Sequence, residues 1–177
     1  FPMGVTLVLS DGTNDFEESF GIPPWGVLDA DTSCYGARYA GNRIIVPSGV
    51  RLAADGILAQ CVKNGSPAGD LQAKVMDDSG NTISGTDITI ATAYGTVTNY
   101  LHWFEFSSIV YLGQGIYRVV IYSSGSANSS NCWRIRSIAA QNSGLVSPNC
   151  CWCSYDGTTY TYDQTRQCVC GLTIADE

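Results

Sequence analysis

The densest group of reactive side chains lies near the C-terminus, where Cys150-Cys151-Trp152-Cys153 is followed by Cys168-Val169-Cys170. In an extended strand residues i and i+2 share a face, so Cys151 goes with Cys153 and Cys168 with Cys170. If the two strands are neighbours, four sulfurs converge. Three chemistries fit: disulfides stapling the C-terminal strands, free buried thiols, or a tetrahedral zinc ion held by four thiolates. Structural zinc sites use two-residue gaps in knuckle-like turns rather than Cys-x-Cys on extended strands. Disulfides are therefore the expectation, and no metal ligands are assigned. Cys34, Cys61, Cys132 and Cys150 are the other disulfide candidates, for eight Cys in all; the pairing does not follow from the spacing.

Catalytic signals are sparse. His102 is the sole histidine, so a Ser-His-Asp or Cys-His relay has to pass through it. It sits in the aromatic run Tyr100-Leu101-His102-Trp103-Phe104-Glu105-Phe106, with no nucleophile elbow beside it, and reads as a histidine of a sheet. Glu17, Glu18 and Glu105 are the carboxylates that a glycosidic acid/base pair would draw on, but the first two are adjacent in an irregular segment. The expectation is that the chain is not an enzyme. No cofactor is expected. Calcium is the single ion for which a case exists, at Asp11 to Asp15, at Asp29 with Asp31, or at Asp77-Asp78 with Asn81. None of these follows an EF-hand pattern, and the last reads as a turn.

Aromatic residues are the stronger lead. Four Trp (Trp25, Trp103, Trp133, Trp152) and ten Tyr exceed what a small core needs. Trp152, Tyr155, Tyr160 and Tyr162 cluster around one hairpin and form the candidate binding platform. Planar rings of this kind suit sugar faces and protein interfaces alike.

The elements that would position these residues are strands. Period-2 alternation recurs at residues 43–46, 56–63, 71–77, 86–91, 98–106, 115–123, 131–138, 151–155, 158–162 and 167–175, and no convincing 3.6-residue period appears. Turn chemistry separates the strands: Asn64-Gly65-Ser66-Pro67, Asp77-Asp78-Ser79-Gly80-Asn81, and Asp156-Gly157 between two Thr- and Tyr-rich runs. The expected fold is all-β, an antiparallel β-sandwich or jelly roll of about 8–10 strands. Residues 1–34 read as an irregular N-terminal arm and residues 35–177 as the sandwich domain.

Composition narrows the partners. The 177 residues carry 9 Lys+Arg against 16 Asp+Glu, a net charge of −7. No basic stripe exists to displace counterions from nucleic acid, and no apolar run approaches the roughly 18 residues that span a bilayer. Hydrophobic residues make up 45% of the chain, too many for disorder. An even, C-terminally clustered cysteine count points to an oxidising compartment. The sequons Asn64-Gly65-Ser66 and Asn128-Ser129-Ser130 lie in turn-like segments. A start at Phe1 with no visible signal peptide suggests a processed or excised chain.

From about residue 35 to residue 174 the order of motifs resembles a jelly-roll module of phage structural proteins and secreted bacterial surface proteins. The pieces that carry the resemblance are residues 61–71 (Cys-Val-Lys-Asn-Gly-Ser-Pro-Ala-Gly-Asp-Leu), residues 75–81, Trp103-Phe104-Glu105-Phe106, residues 110–120 and the hairpin of residues 154–161. The resemblance implies a non-catalytic module of an extracellular assembly: a capsid decoration, tail or fibre protein of a virion, or a subunit of a surface appendage. It implies neighbouring subunits as partners, in a homo-oligomer or larger assembly, at an extracellular or virion surface. The alternative it leaves is a carbohydrate-binding module contacting surface glycans.

Overall fold

Alternation decides which residues enter the core. In the strand Leu71–Asp77, Leu71, Ala73 and Val75 are buried while Gln72 and Lys74 stay half-buried. The computed structural model describes residues 9–10, 15–16, 19–20, 28–90, 100–123, 125, 128–139 and 150–175. Among them are fifteen strands: β1 (Leu9–Ser10), β2 (Asp15–Phe16), β3 (Ser19–Phe20), β4 (Leu28–Cys34), β5 (Tyr39–Val46), β6 (Leu52–Asn64), β7 (Leu71–Asp77), β8 (Ile88–Ile90), β9 (Tyr100–Leu112), β10 (Gly115–Tyr122), β11 (Cys132–Ala139), β12 (Cys150–Tyr155), β13 (Tyr160–Asp163), β14 (Arg166–Cys168) and β15 (Cys170–Ile174). All the strand pairings are antiparallel.

The strands make an all-β sandwich. One sheet has six strands in the order β13-β12-β5-β10-β7-β8. The other has seven, β14-β11-β6-β15-β3 with β4 along β11 and β9 along β6. A two-stranded hairpin, β1–β2, pairs with neither sheet among the described residues. Ile44, Val46, Leu71, Val75, Val119 and Ile121 of the six-stranded sheet meet Ile57, Phe104, Trp133, Ile135 and Leu172 of the other in a single core. Burying each such side chain contributes roughly 1.5–3 kcal/mol. Trp133 keeps its indole satisfied in that core by donating Nε1–H to the Gly69 carbonyl at 3.1 Å.

Two boundaries differ from the sequence reading. Residues 28–34, assigned above to the arm, form β4, which pairs with β11 from Cys34↔Trp133 to Leu28↔Ile138. Asp31 masks the strand because its carboxylate sits outward on a sheet edge. There it is opposite Arg136 and ion-paired to it at 2.8 Å. Likewise β5 begins at Tyr39 and not at residue 43. Gly41 and Asn42 interrupt the apolar pattern, and both are there for tertiary reasons.

The seven-stranded sheet contains a fork. β6 and β11 pair directly through Cys61↔Ile135 and then part. Val169 fills the gap, donating to the Arg136 carbonyl at 2.9 Å and accepting from the Gln60 amide at 2.8 Å. β14 arrives along β11 and β15 leaves along β6, so the chain reverses at this point. Asn42, fully buried in the facing sheet, spans the reversal. Its Nδ2 donates to the Cys168 and Cys170 carbonyls at 2.9 and 2.7 Å, and its Oδ1 accepts from the Cys168 amide at 2.7 Å.

Candidate functional site

The β12–β13 hairpin is closed by local chemistry. Asp156 accepts from the amides of Thr158 and Thr159 at 2.8 and 2.9 Å, and Gly157 takes a positive φ of 106°. These amides, together with the threonine hydroxyls, hold the Asp156 carboxyl down at about 2. The resulting register sets Tyr155 opposite Tyr160 and Cys153 opposite Tyr162. On its other edge β12 sets Tyr155 opposite Tyr39 of β5.

These pairings collect tyrosines on the outer face of the six-stranded sheet. Tyr39 and Tyr155 stack with centroids 4.7 Å apart, and Tyr155 lies 4.9 Å from Tyr160. Tyr160 and Tyr162 are near-parallel at 6.2 Å, with 9° between their planes. The hydroxyls of Tyr39 and Tyr160 are 2.6 Å apart. Burial, and then this hydrogen bond, push the Tyr39 hydroxyl far above the usual tyrosine range.

Cations fill the spaces between the rings. Arg118 sits 4.2 Å over the Tyr160 ring, Arg43 5.5 Å over Tyr162, and Lys74 4.5 Å over Tyr122 and 5.7 Å over Tyr39. Only 4% of Arg118 is exposed. It donates Nε–H to the Tyr162 hydroxyl at 2.9 Å, Nη1 to the Asp77 carbonyl at 2.6 Å and Nη2 to the Asp78 carboxylate at 2.8 Å. The Tyr122 hydroxyl donates to Asp87. Under the rings Met76, Val120 and Cys153 form a small apolar cluster against Tyr39. The face is therefore rigid: each ring packs on another ring or on a guanidinium or ammonium group, and the hydroxyls of Tyr39, Tyr122, Tyr160 and Tyr162 are held by hydrogen bonds within the face.

Of the four platform residues expected from sequence, Tyr155, Tyr160 and Tyr162 come together here. Trp152 does not. It lies on the opposite face of β12, packed on the core, and donates Nε1–H to the Thr32 hydroxyl of the other sheet at 3.1 Å. Parity accounts for this, since 152 and 155 fall on opposite sides of a strand. Tyr39, Tyr122, Arg43, Lys74 and Arg118 were missed. The signal for three of them was present: if Tyr117, Val119 and Ile121 face inward, Arg118 and Tyr122 face outward, and Lys74 alternates with Ala73 and Val75 in the same way.

The two Cys-x-Cys pairs do not converge. Cys151 and Cys153 lie on the outer face of one sheet, Cys168 and Cys170 on the inner face of the other. Cys34, Cys61, Cys132, Cys151, Cys153, Cys168 and Cys170 are all buried free thiols. This corrects the expectation of stapling disulfides for these seven; the Cys150 side chain lies outside the described residues. Burial pushes the Cys34 thiol up to about 12 and the Cys61 thiol well above its ordinary value. We therefore expect the seven thiols to remain silent towards Ellman's reagent in the folded protein and to react when guanidinium is added. Rapid reaction of several of them before unfolding would contradict this placement.

His102 lies on the inner face of β9, edge-on to Trp133 at 6.0 Å, and burial lowers its pKa. Glu105, opposite Gly56, is exposed on the outer face of the seven-stranded sheet, so the two are on different sides of β9. Glu17, Glu18, Asp11 and the Trp25 ring lie outside the described residues, as do the side chains of Asp15 and Asp29. Asp77 is a turn acceptor, taking the Asn81 amide at 2.8 Å. Among the described residues no group of three or more His, Cys, Asp or Glu is placed to hold a metal ion.

No protein-family model matches the chain, and no curated protein matches it in sequence.

Proposed function

We propose that the chain is a non-catalytic interaction module of an extracellular assembly, a decoration, tail or fibre subunit of a virion or a subunit of a surface appendage. Its contact surface in this reading is the outer face of the six-stranded sheet. One observation carries the reading: five tyrosines and three cations from five strands, β5, β7, β10, β12 and β13, are locked into one preorganised face. Tyr and Arg are the residue types enriched where protein interfaces hold most of their binding energy. Rings already fixed by stacking lose little side-chain entropy when a partner docks. With its described thiols free, the chain's cysteine content no longer argues for an oxidising compartment, and the extracellular setting rests on the resemblance.

Hydroxyl-radical footprinting of the native assembly against the isolated chain tests this. Tyr155, Tyr160 and Tyr162 should be protected in the assembly. Equal labelling in both samples would remove the reading.

A second reading, carbohydrate binding, is favoured by one feature: the near-parallel Tyr160–Tyr162 pair, with Tyr162 41% exposed, resembles a surface on which a flat sugar ring stacks. Against it, cations already cover ring faces at both positions. Glycan-array binding that is lost in Tyr162→Ala would support the sugar reading.

A further inference from the structure

We infer that the tyrosine–cation face receives the acidic N-terminal hairpin of a second copy of this chain, building head-to-tail assemblies. The inference rests on the contact reading above and names the partner. Two complementary features of the molecule carry it.

The first is charge. The chain has a net charge of −7 and only nine Lys and Arg, yet Arg43, Lys74 and Arg118 share one face. The carboxylates at that face, Asp78 and Asp87, are engaged by Arg118 and by the Tyr122 hydroxyl. By contrast, no Lys or Arg occurs before Arg38, while Asp11, Asp15, Glu17 and Glu18 fall within eight residues. The second is topology. Asp15 belongs to β2, and Asp11, Glu17 and Glu18 are its near neighbours in sequence; β1 and β2 pair through Leu9↔Phe16 and Ser10↔Asp15 and, among the described residues, are hydrogen-bonded to neither sandwich sheet. A lone two-stranded hairpin is marginal in water and gains by packing on another surface. Since hairpin and face are different patches, their union is heterologous and propagates into rings or filaments.

The test uses the full chain in two variant forms. One carries D11N, D15N, E17Q and E18Q; the other carries R43Q and K74Q, both at half-buried positions that leave Arg118 in place. Sedimentation velocity should show wild-type association that weakens steeply as salt is raised, because exposed charges more than about 10 Å apart are screened at 0.1 M. Each variant should associate about tenfold more weakly or worse while keeping the wild-type circular dichroism spectrum. Mixing the two variants should restore a 1:1 dimer and nothing larger, because one supplies an intact face and the other an intact hairpin. A wild type that stays monomeric at low salt, an association that neither variant weakens, or a mixture that fails to pair would each overturn the inference. If the wild type is monomeric but footprinting finds the tyrosines shielded by a different protein in the native assembly, self-docking fails and the contact reading stands. Unshielded tyrosines there would end both.

Discussion

Replacing Asn42 with Leu should cost the fold about 3 kcal/mol or more, because it removes three buried hydrogen bonds to main-chain groups at once and losing a buried hydrogen-bond partner costs roughly 1–3 kcal/mol. The groups are the Cys168 amide and the Cys168 and Cys170 carbonyls, all bonded by one carboxamide across 126 or 128 residues of chain. They lie where β14 turns into β15, in the gap that opens as β6 and β11 diverge around Val169, so the final strand reverses inside the sandwich. No water reaches a side chain with no exposed surface. Asn42→Asp is the sharper variant. It keeps the acceptor for the Cys168 amide but replaces the donor with a second oxygen facing two carbonyls, so it should be at least as damaging at neutral pH. Urea unfolding, extrapolated to water, measures both. A loss below about 1 kcal/mol for Leu would mean the reversal is satisfied some other way.

Gly41→Ala, one residue away and pointing to the other face, should cost about 3 kcal/mol, at the upper end for overpacking. A Cβ built at Gly41 falls 1.8 Å from the Val119 carbonyl oxygen and 2.8 Å from Val120 Cα. Both obstacles are backbone, so no rotamer change relieves the contact. β5 cannot retreat, since it is paired to β10 on one side and β12 on the other, with Val120 and Cys153 opposite Gly41. The usual benefit of replacing Gly with Ala, roughly 0.4–1 kcal/mol from a less mobile unfolded chain, is overwhelmed here. Gly113→Ala is the control: nothing lies within 4 Å of a Cβ there and its φ is not positive, so it should be neutral or mildly stabilising. Equal effects at the two positions, read from thermal or urea unfolding, would show that the β5–β10 approach is not close. Because β5 carries Tyr39 and Arg43 on the same side as Gly41, Gly41→Ala should also loosen the tyrosine face before the protein unfolds.

The alternation of apolar and polar residues was sufficient to establish that this chain is a sandwich, because a strand's side chains alternate at a period of two whatever the rest of the protein does. The same local rule places Leu71, Ala73 and Val75 inside, and the Asp156-Gly157 turn pairs Tyr155 with Tyr160 through contacts spanning only a few residues. Strand order is a different kind of fact. It depends on which long loops close and which faces match, and no window of sequence contains it. For this reason two Cys-x-Cys runs that look ready to meet lie in different sheets and face different ways. Tyr39, Lys74 and Arg118, far apart along the chain, meet the β12–β13 hairpin on one surface for the same reason. Gly41 and Asn42, which read as interruptions of an apolar strand, turn out to be the residues that let one sheet approach closely and the other reverse direction.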